Sequence, residues 1–237
     1  MKSQATDSEL RKLVVKACRV LFAEGHTDLA GMSGHISARL SSGKRFVIKP
    51  VTVGFDEIYS KDLVVGDLNG QKISGRHNLP GETAIHVAIF RSYPEIGSVI
   101  HTHPPLGTAL SCTEQKLMSL SFPAAFLGGE VPLFDPGTPL IQSLEHGMEL
   151  ASALGGHAAI FLKNHGVVVV GQSVEESTVR AIALENAVRL QLLASSLGSI
   201  SPLPPGFFDQ VAEKYGQSRV MRMFEYAARK ARPQHSR

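Results

Sequence analysis

Strand-forming runs in this chain are confined to its middle, while amphipathic helical patterns lie at both ends. That placement lacks the repeated strand–helix–strand rhythm of a doubly wound parallel fold. It points instead to an α/β sandwich of helices packed on a mixed or antiparallel sheet. Near the N-terminus Leu10, Leu13, Val14, Cys18, Leu21 and Phe22 recur three and four residues apart, with Asp7 or Ser8 as the cap and Gly25 as the stop. Residues 36–40, 45–50 and 98–103 read as short strands, and 63–74 reads as a hairpin turning at Asn69-Gly70. A helical pattern covers 82–91, and two further strands are expected at 158–171 around Asn164-His165-Gly166. Ser173 caps a long helix through Leu197, with Glu175 and Glu176 in its first turn. The segment 110–140 is rich in glycine and proline and is expected to mix short strands with loops. Residues 1–198 read as the main body of the domain, and 199–237 as a linker and helix belonging to the same domain.

With 237 residues, of which 43% are hydrophobic, the chain can build one sizeable core. Its 24 basic against 21 acidic side chains give a net charge of +3, too balanced to imply a nucleic-acid or membrane partner. No segment approaches the ~20 apolar residues of a membrane span. The N-terminal stretch carries charges through its apolar run and has no cleavage signal, so a cytoplasmic location is expected. Cys18 and Cys112 match no metal or redox spacing and read as two buried thiols in a reduced compartment.

Ten histidines are the chemical signal, and several sit beside glycine, proline or another histidine. In Ser98-Val-Ile-His-Thr-His103 the two imidazoles share a strand face about 7 Å apart, close enough to converge on one ion. His165, in a turn between apolar strands, needs a polar partner, which a metal or the backbone would equally supply. Glu82 opens an apolar helix, where a carboxylate is favourable even without an ion. His86, four residues on, is an alternative ligand on the same helix. Three histidines and a carboxylate suit zinc, manganese or a similar divalent ion acting as a Lewis acid.

Four segments together resemble the class II aldolase/adducin family: Gly34-His-Ile-Ser-Ala-Arg39, Pro80-Gly-Glu-Thr-Ala-Ile-His86, Pro94-Glu-Ile-Gly-Ser-Val-Ile-His-Thr-His103 and Asn164-His165-Gly166 with Gly171. They occur in the family's order over roughly residues 8 to 197. The resemblance implies an αβα sandwich around a central, mainly antiparallel sheet and a homotetramer with active sites at subunit interfaces. It also implies a divalent metal (Mn2+ or Zn2+) held by His101, His103 and His165, with Glu82 as fourth ligand or as the acid/base beside the ion. The family's sugar-phosphate aldolases have a Ser-Ser pair where this chain has Pro80-Gly81, and Gly-Asn where it has Gly34-His35. Proline has no N–H and glycine only its backbone donor, so a phosphate would be poorly held.

The pattern looks more like the family's aromatic decarboxylases. These act on a carboxylated, hydroxylated aromatic or heteroaromatic small molecule. An aldolase, epimerase or dehydratase of a small sugar-like substrate is the alternative. A non-catalytic scaffold of the adducin kind is disfavoured because the ligand histidines are present. Glu82 and His35 are the expected catalytic groups, Glu82 moving the proton with the help of a pKa raised by burial. Arg39, Lys49, Arg76 and His77 are the expected cations for substrate carboxylates.

Overall fold

The computed structural model describes residues 5–28, 31–204, 206–207 and 209–231. Helix α1 covers Asp7–Ala23. Its cap is Thr6, one residue ahead of the positions expected from sequence. The Thr6 hydroxyl accepts from the Glu9 N–H, and the Glu9 carboxylate accepts from the Thr6 N–H, a reciprocal capping box. Val14, Cys18 and Leu21 are buried as the spacing requires, but Phe22 is 41% exposed and the buried stripe runs instead through Val15 and Val20.

Strands β1 (His35–Arg39), β2 (Arg45–Ile48), β3 (Val64–Asp67) and β4 (Lys72–Ser74) form an antiparallel meander. The β3–β4 turn runs through Asn69 and Gly70, where the Asp67 carboxylate accepts from the N–H groups of Asn69 and Gln71. Strands β5 (Ser98–Thr102), β6 (Leu133–Phe134), β7 (Ala159–Leu162) and β8 (Gly166–Gly171) complete one eight-stranded sheet in the order β4-β3-β2-β1-β5-β8-β7-β6. Every neighbouring pair is antiparallel except β6–β7.

Side-chain alternation divides the sheet's two faces between two helical layers. Ile36, Ala38, Val47, Ile100, Val167 and Val169 pack toward α1 and the long α5 (Val174–Leu197). Phe46, Ile48, Val99, Ile160, Val168 and Val170 pack toward α2 (Thr83–Ser92) and α4 (Leu144–Leu154). The result is the αβα sandwich. Short α3 (Pro105–Ser111), a 3-10 helix (Phe122–Leu127) and α6 (Asp209–Lys230) lie against the α5 layer.

Two sequence expectations need correcting. Helix α4 falls in a stretch with no expected element, although Ser143 caps it and Gly155, at φ +57°, ends it. Cys112 is exposed, so only Cys18 is a buried thiol, and burial pushes that one up to about 12. No helix among the described residues is long and apolar enough to cross a membrane.

A candidate metal centre at the ends of the central strands

The three central strands β1, β5 and β8 bring their site-bearing ends together at one end of the sheet. His35, the first residue of β1, is the cross-strand partner of His101 near the end of β5, and Thr102 pairs with Val167 of β8. His35 and His101 share the α2 face of the sheet, and Glu82 stands at the N-cap position of α2. His103 follows the end of β5, and His165 sits in the β7–β8 turn, which Asn164 closes with φ +56°. Gly166 is required there, because a Cβ would come within 2.6 Å of the Thr102 carbonyl oxygen and 2.7 Å of the His103 ring.

Contacts behind two of the rings aim them at one point. His101 Nδ1 lies 3.0 Å from the Val167 carbonyl oxygen, so this nitrogen carries the proton and Nε2 presents a lone pair. His103 Nδ1 lies 3.1 Å from Asp28 Oδ2, too poorly aligned for a good hydrogen bond but a charge pairing that favours the same tautomer. The two Nε2 atoms then face each other at 3.2 Å with no proton to share. Glu82 Oε2 is 3.4 Å from His101 Nε2 and 3.7 Å from His165 Nε2.

Convergent lone pairs beside a carboxylate repel unless a cation lies among them. With metal–nitrogen bonds of about 2.0–2.1 Å, tetrahedral ligand atoms sit about 3.4 Å apart, the spacing seen here. The donor set therefore fits a divalent metal. His101, His103 and His165 form one candidate ligand cluster, and His35, Glu82 and His101 form an overlapping one.

Burial disfavours a charge on the imidazoles around His101. Burial lowers His165 to about 4, reinforced by the neighbouring His101, and burial likewise lowers His103. Burial, then His86 and His101, hold His35 well below the usual histidine value, and burial takes His86 to about 3. For Glu82 the expected rise is overturned. Burial does push its carboxyl up, but positive charge at the cluster, carried by His101 and His165 when protonated or by a cation in the protons' place, and the Ile141 N–H at 2.9 Å outweigh it and hold the group at about 2. Glu82 is thus a carboxylate, suited to hold a cation or accept a proton.

A cleft of about 630 Å3 opens over this cluster, lined by Asp28, Gly34, His35, Gly81, Glu82, His103 and His165 among others. The four expected cations are not in its lining. Arg39 lies at the far end of β1, where its guanidinium donates to the carbonyl oxygens of Phe90, Tyr93, Ile96 and Gly43. Lys49 is fully buried on the opposite face and donates to the carbonyls of Met32, Gly34 and Pro50, so it supports the cleft's floor loop from beneath. Arg76 pairs with Asp62 and donates to His77, which also meets Thr52 at 3.0 Å. This last network stands beside the cleft, next to Val51 of its lining.

Sequence reasoning missed Asp28 and the Ile141 N–H that orients Glu82. No local signal marks either, because each meets its partner only through tertiary packing.

Three comparisons bear on this geometry. Residues 12–192 match the sequence profile of the Class II Aldolase and Adducin N-terminal domain. The chain is 30% identical to 3,4-dihydroxyphthalate decarboxylase of Terrabacter sp. (strain DBF63), over 89% of this chain and 96% of the relative. It is 27% identical to L-fuculose phosphate aldolase of Methanococcus maripaludis, over 77% of this chain and 96% of that one. Among solved structures, an aldolase II superfamily protein from Pseudomonas syringae superposes with a TM-score of 0.83 at 26% identity, covering 97% of this chain and 94% of the other.

Proposed function

Because this chain belongs to the class II aldolase and adducin family, we propose that it is a divalent-metal-dependent decarboxylase of a hydroxylated aromatic or heteroaromatic dicarboxylate. The observation that carries the reading is the pair Pro80-Gly81 ahead of Glu82. Gly81 lines the cleft, and Pro80 has no N–H to offer an anion. In the family's sugar-phosphate aldolases the corresponding hydroxyls and amides hold phosphate, and this wall supplies none of those side-chain donors. The similarity to a dihydroxyphthalate decarboxylase over most of both chains supports the same substrate class.

His101, His103 and His165, with Glu82, would hold the ion, manganese or zinc. When bound, it supplies Lewis acidity for charge developing on a substrate oxygen. The rest of the chemistry falls to the chain. Decarboxylation adds a proton to the ring carbon that bears the leaving carboxylate. The bond to that carboxylate then breaks, its electron pair stays with the ring, and carbon dioxide departs. Glu82, ionised at rest, is placed to accept the proton of a substrate hydroxyl and return it to the ring carbon. His35 faces the cleft and can donate to a substrate carboxylate. Arg76 and His77, beside the cleft next to Val51, are the proposed partners of a second carboxylate that extends past Val51.

The cleft is open, and Met32, Val51 and Leu140 expose apolar side chains at its lining. A homotetramer whose neighbouring subunit covers this edge is part of the proposal, checked by light scattering of the purified protein.

The deciding experiment is carbon dioxide release from 3,4-dihydroxyphthalate by protein loaded with manganese or zinc, with a chelator control. Chelator-sensitive release is expected. Silence across a panel of hydroxy-dicarboxylates, together with cleavage of a sugar phosphate, would replace this reading with aldol chemistry.

A further inference from the structure

Behind the cleft runs a line of three buried polar side chains from separate elements. His35 Nδ1 lies 2.7 Å from His86 Nε2, and His86 Nδ1 lies 2.6 Å from the Ser37 hydroxyl. His35 and Ser37 stand two apart on β1, and His86 reaches both from the second turn of α2. All three are buried. Two proton arrangements satisfy these distances, and they give His35 opposite chemistry.

In one, His35 Nδ1–H donates to His86 Nε2, and His86 Nδ1–H donates to Ser37 Oγ. His35 then offers a lone pair at Nε2, as a ligand or base would. The Ser37 hydroxyl proton is left with no acceptor, since His86 is its only hydrogen-bond partner among the described residues. In the other, Ser37 O–H donates to His86 Nδ1, His86 Nε2–H donates to His35 Nδ1, and His35 Nε2 carries a proton. Every proton inside the line then has an acceptor, and the one left over, on His35 Nε2, opens on the cleft, whereas Ser37 is fully buried. A buried donor without an acceptor is disfavoured, so the second arrangement prevails.

We propose that Ser37 and His86 are positioning residues that fix His35 as an Nε2–H donor at the cleft, where it binds a carboxylate oxygen of the substrate. His35 Nε2 makes no hydrogen bond to the described residues, and the residue lines the cleft beside His101 at a ring-centroid distance of 5.1 Å. This resolves the overlap between the two candidate ligand clusters. His101 presents a lone pair and His35 presents a proton, so His35 stands beside the ion as a substrate group and is not among its ligands. It also gives Ser37 a role: its backbone carbonyl is already engaged by the Ser98 hydroxyl at 2.9 Å, which leaves its own hydroxyl to orient His86. The carboxylate as ligand rests on the decarboxylase reading, whereas the proton order does not.

Nitrogen-15 NMR of ring-labelled histidine in zinc-loaded protein reads the proton order directly. Signals are assigned by their loss in His35→Gln and His86→Gln. Both rings are expected to show a protonated Nε2 and an unprotonated Nδ1, and a protonated Nδ1 on either ring overturns the proposal. Calorimetric binding of phthalate gives the second readout. Ser37→Ala is expected to weaken phthalate about tenfold at unchanged zinc content, with Ser37→Thr recovering part of the loss. If wild-type protein binds phthalate and Ser37→Ala binds it equally well, the relay is wrong. If wild-type protein does not bind phthalate although both rings show the expected tautomer, the dicarboxylate reading fails and the proton order stands.

Discussion

His103 is gripped from two sides: Nε2 faces His101 at 3.2 Å and Nδ1 faces Asp28 at 3.1 Å. Its removal deletes both a proposed ligand and the contact that aims it. His103→Ala is therefore expected to lose metal content and activity together, measured by elemental analysis and turnover on the same preparation. Asp28→Asn keeps the shape but removes the charge behind the ring. A drop in metal affinity of about 10–100-fold is expected by chelator competition, with the fold intact. Glu82 should divide differently. Glu82→Gln retains an oxygen near His101 but cannot take a proton. Turnover is expected to fall by about 10²–10⁴-fold while metal affinity falls less. Equal losses in the two would make Glu82 a ligand without a proton-transfer role. The histidines were legible in sequence because strand spacing and turn residues are local signals. Asp28 was not, since it lies 75 positions before His103 and nothing in the sequence between them marks the contact.

At the scale of elements, β1 shows how far local reading reaches. Alternation correctly puts residues 35, 37 and 39 on one sheet face, but it says nothing of distance from the site. Four residues of strand span about 13 Å. Arg39 thus joins the C-terminal end of α2 to the loops flanking β1 and β5, donating to four carbonyls, while His35 lines the cleft. Arg39→Met leaves those carbonyls without their donor. A stability loss of about 2–3 kcal/mol is expected, seen as a Tm lower by about 5–10 °C, with metal content unchanged. A substrate-binding arginine would give the reverse, a retained Tm and a raised KM. The β3–β4 hairpin and the capped α5 were readable because Asn69-Gly70 and Ser173 act within a few residues. Helix α4 carried a cap at Ser143 and a stop at Gly155, but its short apolar face, Leu150, Ala151 and Leu154, is distinct only once α2 packs against it.

For the whole molecule, the consequence of so many buried imidazoles is a one-sided dependence of stability on pH. His26 isolates the effect: it is 1% exposed, just past α1, and neither ring nitrogen has a hydrogen-bond partner among the described residues. Burial alone lowers it from 6.5 to about 4. The unfolded chain therefore binds a proton that the folded chain refuses between those values. Stability from this group is fully present above pH 6.5 and is lost as pH falls toward 4, by up to about 3 kcal/mol. His35 and His86, lowered by burial in the same sense, add to the slope. Urea unfolding of chelator-treated protein should give a flat free energy from pH 8 to 6.5 and a steady fall below it. His26→Leu removes one of the refused protons, and the fall between pH 6.5 and 5 should become shallower by close to one proton. A slope unchanged by that substitution would mean that His26 finds a way to ionise inside the fold. Repeating the titration with metal present separates the two populations of histidine. A cation binds only the assembled cluster and competes with protons for its imidazoles, so it should raise stability most near neutrality and steepen the acid limb. The contribution of His26, outside the cluster, should be the same with and without metal.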